Sequence, residues 1–423
     1  MKTIPPLLSD YAELLRNLKN LPVIQNALQQ AKDEMRLAME EQIRLCEVEA
    51  PTFEEKERGE LLASLFRQYG LTDITVDRVG NVIGRRPGRN PEAPVLAMGA
   101  HMDSVFRRGT DVKVRREGRI FRAPGIGDNC SGLRALLQVL RMFQTQGIET
   151  EGDLLFVGTV GEEGNGDIRG SKHLVKSDLR IDGFLAIDST NVGRILHGAT
   201  GSRRWKIRVQ GKGGHSYAEF GLCPSAIHAI CRAGAKVANI VVPKRPKTTY
   251  TIGKIEGGTT VNTIAAYANV QVDMRSVDPA SLKALEEKVL AAFREAVREE
   301  NEFWHIEDPA LLLQLKTTLI GDRPAGMRPD DCPVLQSARS AQKALGITLS
   351  HYQCASTDAN APMSVGMPST CICSGGRGMN AHTVDEYFEW TRDTYLGPQL
   401  IFMTACALTG VFGNQPKLPL FHK

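Results

Sequence analysis

A chain of 423 residues is longer than one ordinary hydrophobic core organises, so two domains are expected. With 42% hydrophobic and 24% charged residues its composition is globular, and a formal charge of +4 is too small to call for nucleic acid or an anionic membrane. Nine cysteines without framework spacing fit a reducing compartment, hence the cytoplasm, and no apolar run is long enough to span a bilayer. The stretch Met1 to Asp10 has no signal-peptide apolar core.

In chain order, Asp10 is placed to cap a helix that breaks near Leu21-Pro22. A longer amphipathic helix follows towards Cys46, and Thr52 is placed to cap another that ends at Gly70. Residues Ile74–Val79 and Val82-Ile83, joined by Gly80-Asn81, read as a hairpin. Val95 to Met98 reads as a short buried strand with Gly99 at its exit. The basic run Arg107 to Arg119 has no interleaved aromatic residue and reads as a solvated hairpin. A helix from about Leu133 to Phe143 and buried strands at Leu154–Val160 and Phe184–Ile187 come next. Strands alternating with helices predict an α/β sheet covered on both faces. From about Gly201 the order strand-helix-strand-strand-helix, with a last strand near 311–319, predicts an inserted α+β domain of ferredoxin-like arrangement. The insert is expected to span 201–319, leaving 1–200 and 320–423 to the first domain. A helix over 331–345 and a strand over Ser369–Cys373 would rejoin the first sheet.

Residues of metal-ligand type recur where these strands end, which is where open α/β sheets place their sites. They are His101 with Asp103, Asp128, Glu162 and Glu163, Asp188 and His382. His101 and Asp103 lie two apart on an extended segment and so share a face, which lets the carboxylate hold the second ring nitrogen. Each residue alone also has an ordinary reading: a turn for Asp128, a helix cap for Asp188, a solvated corner for the paired glutamates, a chain reversal for His382. Together, imidazole and carboxylate donors suit zinc, with manganese or cobalt as alternatives. The glycines at 158, 161, 164 and 166 lack the Lys-Ser/Thr ending of a phosphate loop, and that motif is rejected.

The motifs Gly99-Ala-His-Met-Asp103, Gly127-Asp-Asn-Cys-Ser-Gly132, Gly161-Glu-Glu-Gly164, Asp188, Gly213-Gly-His-Ser216 and Ala381-His-Thr383 carry a family resemblance. In order and context they resemble the co-catalytic di-zinc peptidases and deacylases, which include peptidase T, bacterial glutamate carboxypeptidase, aminoacylase and succinyl-diaminopimelate desuccinylase. Ser356-Thr-Asp-Ala-Asn360 and Gly321-Asp-Arg-Pro-Ala-Gly326 also resemble stretches of the peptidase branches. The resemblance implies a mixed-sheet catalytic domain with helices on both faces and an inserted dimerisation or lid domain. It implies two zinc ions bridged by Asp128, one completed by His101 and Asp188, the other by Glu163 and His382. Glu162 would be the general base, Asp103 would orient His101, and the peptide between Asp128 and Asn129 would be cis. His215 would reach the active site of a partner chain in a homodimer, while Asn262, Arg275 and Arg323 fall where relatives hold substrate carboxylate or carbonyl groups. Cys130 departs from the larger or charged residue expected in many relatives, which points either to a tighter metal loop or to thiol-sensitive activity.

The function so implied is metal-dependent hydrolysis of an amide bond in small peptides, of tripeptidase or glutamate-carboxypeptidase kind. An N-acyl-amino-acid deacylase uses the same chemistry and stands as the alternative. A non-hydrolytic metal-binding interaction protein on the same fold is a third reading, against which the retention of Glu162 beside all five ligands argues. Neither a nucleic acid nor a membrane is an expected partner.

Overall fold

In the strand Leu96–His101 every residue is buried, and successive side chains enter two different apolar clusters. Leu96, Met98 and Ala100 face one cluster and Ala97 the other, as the period of two along an extended chain requires. Leu154–Thr159 divides the same way, with Leu154 and Phe156 on one side and Leu155 and Val157 on the other. A strand buried on both faces needs a cover on each, and this is the physical basis of the α/β layers. The computed structural model describes residues 4–413; residues 1–3 and 414–423, which the sequence reading assigns to the catalytic domain, lie outside the described residues.

The chain divides into two compact units, Met1–Ala199 with Met327–Lys423, and Thr200–Gly326. The first is built on a six-stranded mixed sheet in the order Asp73–Val76, Val82–Arg86, Leu154–Thr159, Leu96–His101, Gly183–Ile187 and Ser369–Ile372. The last four strands are mutually parallel, with His101 opposite Thr159 and Ile187 opposite Ile372. Their carboxyl ends therefore open on one edge. Helices Cys130–Thr145 and Leu396–Thr409 are buried almost throughout, against the larger apolar cluster.

The amino-terminal helices differ from expectation. The stretch expected as one long helix is two, Pro22–Asp33 and Met35–Cys46, hinged at Glu34. Ser9–Asn20 has Leu8 rather than Asp10 at its cap. Lys56–Gln68 begins four residues beyond Thr52, whose hydroxyl instead donates to Asp103 at 2.8 Å.

The second unit is a four-stranded antiparallel sheet in the order Thr248–Gly257, Tyr267–Ser276, Gly201–Gln210, Gln314–Arg323. Helices Ala226–Ala238 and Pro279–Phe303 share its apolar cluster, which gives the βαββαβ ferredoxin-like arrangement. Its last strand does not stop at the expected boundary near 320. The strand shifts register at Leu319/Gly321 and continues to Arg323, so the first residues of Gly321-Asp-Arg-Pro-Ala-Gly326 are the end of an edge strand.

Phe156 is fully buried and meets Phe66 edge to face at 6.4 Å between ring centroids. Phe156→Ala should lower stability by about 3–5 kcal/mol. The exposed Val241→Ala in the second unit should stay within about 0.5 kcal/mol of the wild type. Chemical denaturation of both variants measures the contrast.

Candidate metal centre

Four parallel strands deliver the cluster. His101 is the last residue of its strand, Glu162 and Glu163 follow the strand that ends at Thr159, and Asp188 follows Ile187. His382 lies in the loop that begins after Ile372, beyond the short strand Arg377–Met379. Asp128 arrives from the turn before the helix Cys130–Thr145. The cap residue Asn129 accepts from Gly132 N at 3.1 Å and donates its Nδ2 to Ile187 O at 2.8 Å, which ties that turn to the strand leading to Asp188. The Asp128–Asn129 peptide is cis, as the resemblance implies.

The two oxygens of Asp128 face different imidazoles. Oδ1 lies 3.1 Å from His101 Nε2 and Oδ2 lies 3.3 Å from His382 Nε2. His382 Nε2 is also 2.8 Å from Glu163 Oε1. His101, Asp128 and Glu163 each place one ligand atom within 4.8 Å of the other two. A carboxylate between two imidazoles is the arrangement a bridging ligand needs.

The charges show what this arrangement requires. Burial alone would drive the His101 proton off, but the hydrogen bonds its ring donates to Asp103 and Asp128 hold its pKa well above the usual imidazole value. Hydrogen bonds to Asp128 and Glu163 raise His382 to about 10. Burial works to raise the Asp128 carboxyl, yet the two imidazoles bring it well below the usual carboxylate range. Asp188 is pushed up to about 6, by burial first and then by the neighbouring Asp128 charge. The two imidazoles thus hold protons among these carboxylates, where divalent cations would supply the positive charge. The donor set fits zinc, manganese or cobalt.

Asp103 reaches His101 Nδ1 by its backbone oxygen more closely than by its carboxylate, at 3.0 Å against 3.6 Å. A carbonyl accepts only, so Nδ1 carries the hydrogen and Nε2 is left to a metal. The Asp103 carboxylate chiefly accepts from the backbone N–H groups of Glu162 and Glu163, at 2.9 and 3.0 Å, and from Thr52. It thereby fixes the loop carrying the proposed base and a proposed ligand. Glu162 is itself buried.

Two further carboxylates do similar work and are missed by the sequence reading. Glu386 accepts from Gly127 N at 2.8 Å, Asp128 N at 2.9 Å and Gly125 N at 2.9 Å. Burial raises its carboxyl to about 7 against the opposing pull of these hydrogen bonds. Glu55 accepts from Gly161 N at 3.0 Å and pairs with both oxygens to Arg169. The only sequence signal for Glu386 is its place four residues after His382, and Glu55 has none. Cys130 is fully buried at the start of its helix, where a hydrogen bond from Cys46 brings its thiol down to about 7.

In the second unit, His215 and Asn262 are brought to one short ladder, in which His215 pairs with Thr263 and Ser216 N donates to Asn262 O at 3.0 Å. His215 Nδ1 accepts from Tyr217 N and Ala218 N, so the neutral ring carries its hydrogen on Nε2. Arg275 and Arg323 lie on either side of Ser202 in one row of the sheet. Arg275 donates to Asp273 at 2.7 Å, the ordinary ion-pair reading.

Comparison with known proteins places these features. Peptidase family M20/M25/M40 matches residues 97–404, and the chain belongs to that family of hydrolytic enzymes. An uncharacterised protein of Bacillus subtilis, YqjE, is 28% identical over 270 residues, 61% of this chain and 71% of that one. An N-carbamoyl-L-amino acid amidohydrolase of Geobacillus stearothermophilus is 33% identical over 113 residues, 27% of this chain and 24% of its own length. A Staphylococcus aureus tripeptidase shares the fold with a TM-score of 0.72 at 22% identity, over 89% of this chain and 98% of that one. Among the described residues no helix is long and apolar enough to cross a membrane.

Glu386→Gln keeps the side chain's shape but turns an amide N–H₂ towards one of the three backbone donors. Divalent-metal affinity should fall about ten- to a hundredfold, as for other residues that orient ligands. Competition with a chromophoric chelator measures the loss.

Proposed function

We propose that the chain hydrolyses an amide bond in small peptides, with two divalent metal ions bound by the five donors. The observation that carries this reading is Asp128 set between His101 and His382, with Glu163 on the second imidazole. His101 and Asp188 would complete one ion, Glu163 and His382 the other, with zinc the first choice and manganese or cobalt possible. When bound, such a pair lowers the pKa of the attacking water and polarises the scissile carbonyl.

Glu162 takes the proton from that water and returns it to the leaving amine. Its position is held through its own backbone N–H by Asp103. His215 of a partner chain in a homodimer presents Nε2–H to the oxygen that becomes negative. The support for this donor role is the tautomer fixed by Tyr217 N and Ala218 N, together with the Gly213-Gly-His-Ser216 resemblance. Asn262, Arg275 and Arg323 are assigned to substrate carboxylate or carbonyl groups on the resemblance alone. The second unit would serve as the dimerisation or lid domain, and the enzyme would work in the cytoplasm.

The preference for peptides is supported by Ser356-Thr-Asp-Ala-Asn360. Its Thr357 N donates to Asn360 Oδ1 at 2.9 Å, and Asp358 accepts from Thr159 at the end of the strand that leads to Glu162. The second reading, cleavage of an N-acyl or N-carbamoyl amino acid, is favoured by the Geobacillus stearothermophilus relative.

Di- and tripeptides assayed beside N-acetyl, N-succinyl and N-carbamoyl amino acids, each with and without a chelator, test the proposal. Chelator-sensitive turnover of the peptides is expected, and turnover confined to the acylated amino acids would replace it with the second reading. Glu162→Gln should keep its metals and lose turnover by about a hundredfold or more. Glu163→Gln should lose metal first. Metal analysis beside the rate separates the two acids, and exchanged phenotypes would overturn their assignment.

A further inference from the structure

On the first unit the Cys354 sulfur lies beside two other donor atoms, and none of the three belongs to the carboxylate–imidazole cluster. Cys354 Sγ lies 3.7 Å from Met327 Sδ and 3.9 Å from His197 Nε2. The residues come from three neighbouring strands, Gly326–Met327, Arg194–Ala199 and His351–Ala355, with the histidine on the middle one. Arg328 N donates to His197 O at 3.0 Å, which fixes the turn after Met327 beside the histidine.

The imidazole is oriented before any ligand arrives. It stacks on Tyr352 with ring centroids 4.3 Å apart and planes 24° from parallel. The Tyr352 hydroxyl donates to Asp330 at 3.3 Å, and the Arg339 guanidinium lies 5.4 Å from the centroid of the same ring. His197 is 5% exposed and Met327 40%, with Cys354 between them, so the donors can be reached from solvent on the sulfur side.

The two separations from the cysteine sulfur come within a few tenths of an ångström of those for donors on one cation. With bonds of roughly 2.0 Å to nitrogen and 2.3 Å to sulfur, three donors at 120° lie roughly 3.7–4.0 Å apart. Thiolate and thioether select soft metals, while hard cations prefer oxygen. Zinc takes four ligands in structural sites, and on these three donors it would leave a net positive charge in a half-buried place. A monovalent ion on one thiolate leaves none.

We propose that Cys354, His197 and Met327 form a binding site for Cu(I), separate from the two-metal centre. On binding, the Cys354 thiol gives its proton to solvent and the thiolate, the Met327 thioether and His197 Nε2 each donate a lone pair. No electron is transferred. The ion ties together the two strands by which the chain leaves the first unit, at Ala199, and re-enters it, at Met327.

The test uses the full chain loaded with zinc and titrated anaerobically with Cu(I) against bicinchoninate, whose coloured complex reports the copper it retains. One equivalent of Cu(I) should move to the protein without release of zinc. Cys354→Ser and the nearly isosteric Met327→Leu should each weaken it by about ten- to a hundredfold or more, since losing a ligand costs at least what losing its outer support does. Unchanged zinc content in these variants shows that the fold is intact. Cys231→Ser, which removes an exposed thiol elsewhere, should change nothing. No uptake, uptake unaltered in Cys354→Ser, uptake abolished by Cys231→Ser, or copper entering only as zinc leaves would each overturn the proposal.

Discussion

Carboxylates brought into a buried place repel one another, and a protein that gathers them must supply positive charge and hold the backbone against their separation. Asp128 is where this constraint concentrates. It lies between His101 and His382, and its charge contributes to the raised pKa of Asp188. Much of the surrounding structure answers that demand. Backbone N–H groups of the Asp128 turn close on Glu386, those of the Glu162–Glu163 loop close on Asp103, and Gly161 N closes on Glu55. The turn that carries Asp128 and the loop that carries Glu163 are thus held by carboxylates that are not themselves among the five. Glu386 also lies in the segment that carries His382, so one stretch of chain both supplies a donor and fixes the turn opposite.

Hydrophobic periodicity made the architecture legible. Buried runs such as Leu96–Ala100 and Leu154–Val157 can only be central strands, and polar residues at their ends mark the open edge of a parallel sheet. The candidate donors stood out because their types are chemically restricted and because they recur in one order. What failed was local. Thr52 has the composition of a helix cap, but its hydroxyl has a better acceptor in Asp103, a residue 51 positions away. Pairings of that range, like Glu386 with Gly125 N, leave no trace in spacing or periodicity. The register shift at Leu319/Gly321 hid the end of the last strand for the same reason: a glycine inside an edge strand and a glycine just past its end look alike in sequence.

The histidines show how much the hydrogen on a ring matters. Nδ1 of His101 faces a backbone oxygen and Nδ1 of His215 faces two backbone N–H groups. The same side chain is thereby turned into a lone-pair donor at Nε2 in one place and a hydrogen donor at Nε2 in the other. In both places backbone groups contact Nδ1, and at His101 the carboxylates of Asp103 and Asp128 add to the effect.

The account depends on the five donors acting as one two-metal centre. The most direct measurement is the zinc stoichiometry of metal-stripped protein, titrated to saturation and washed free of loosely held ion. Two equivalents retained per chain is the expected result. A single equivalent, or two that persist when His101 and His382 are both replaced by alanine, would contradict it.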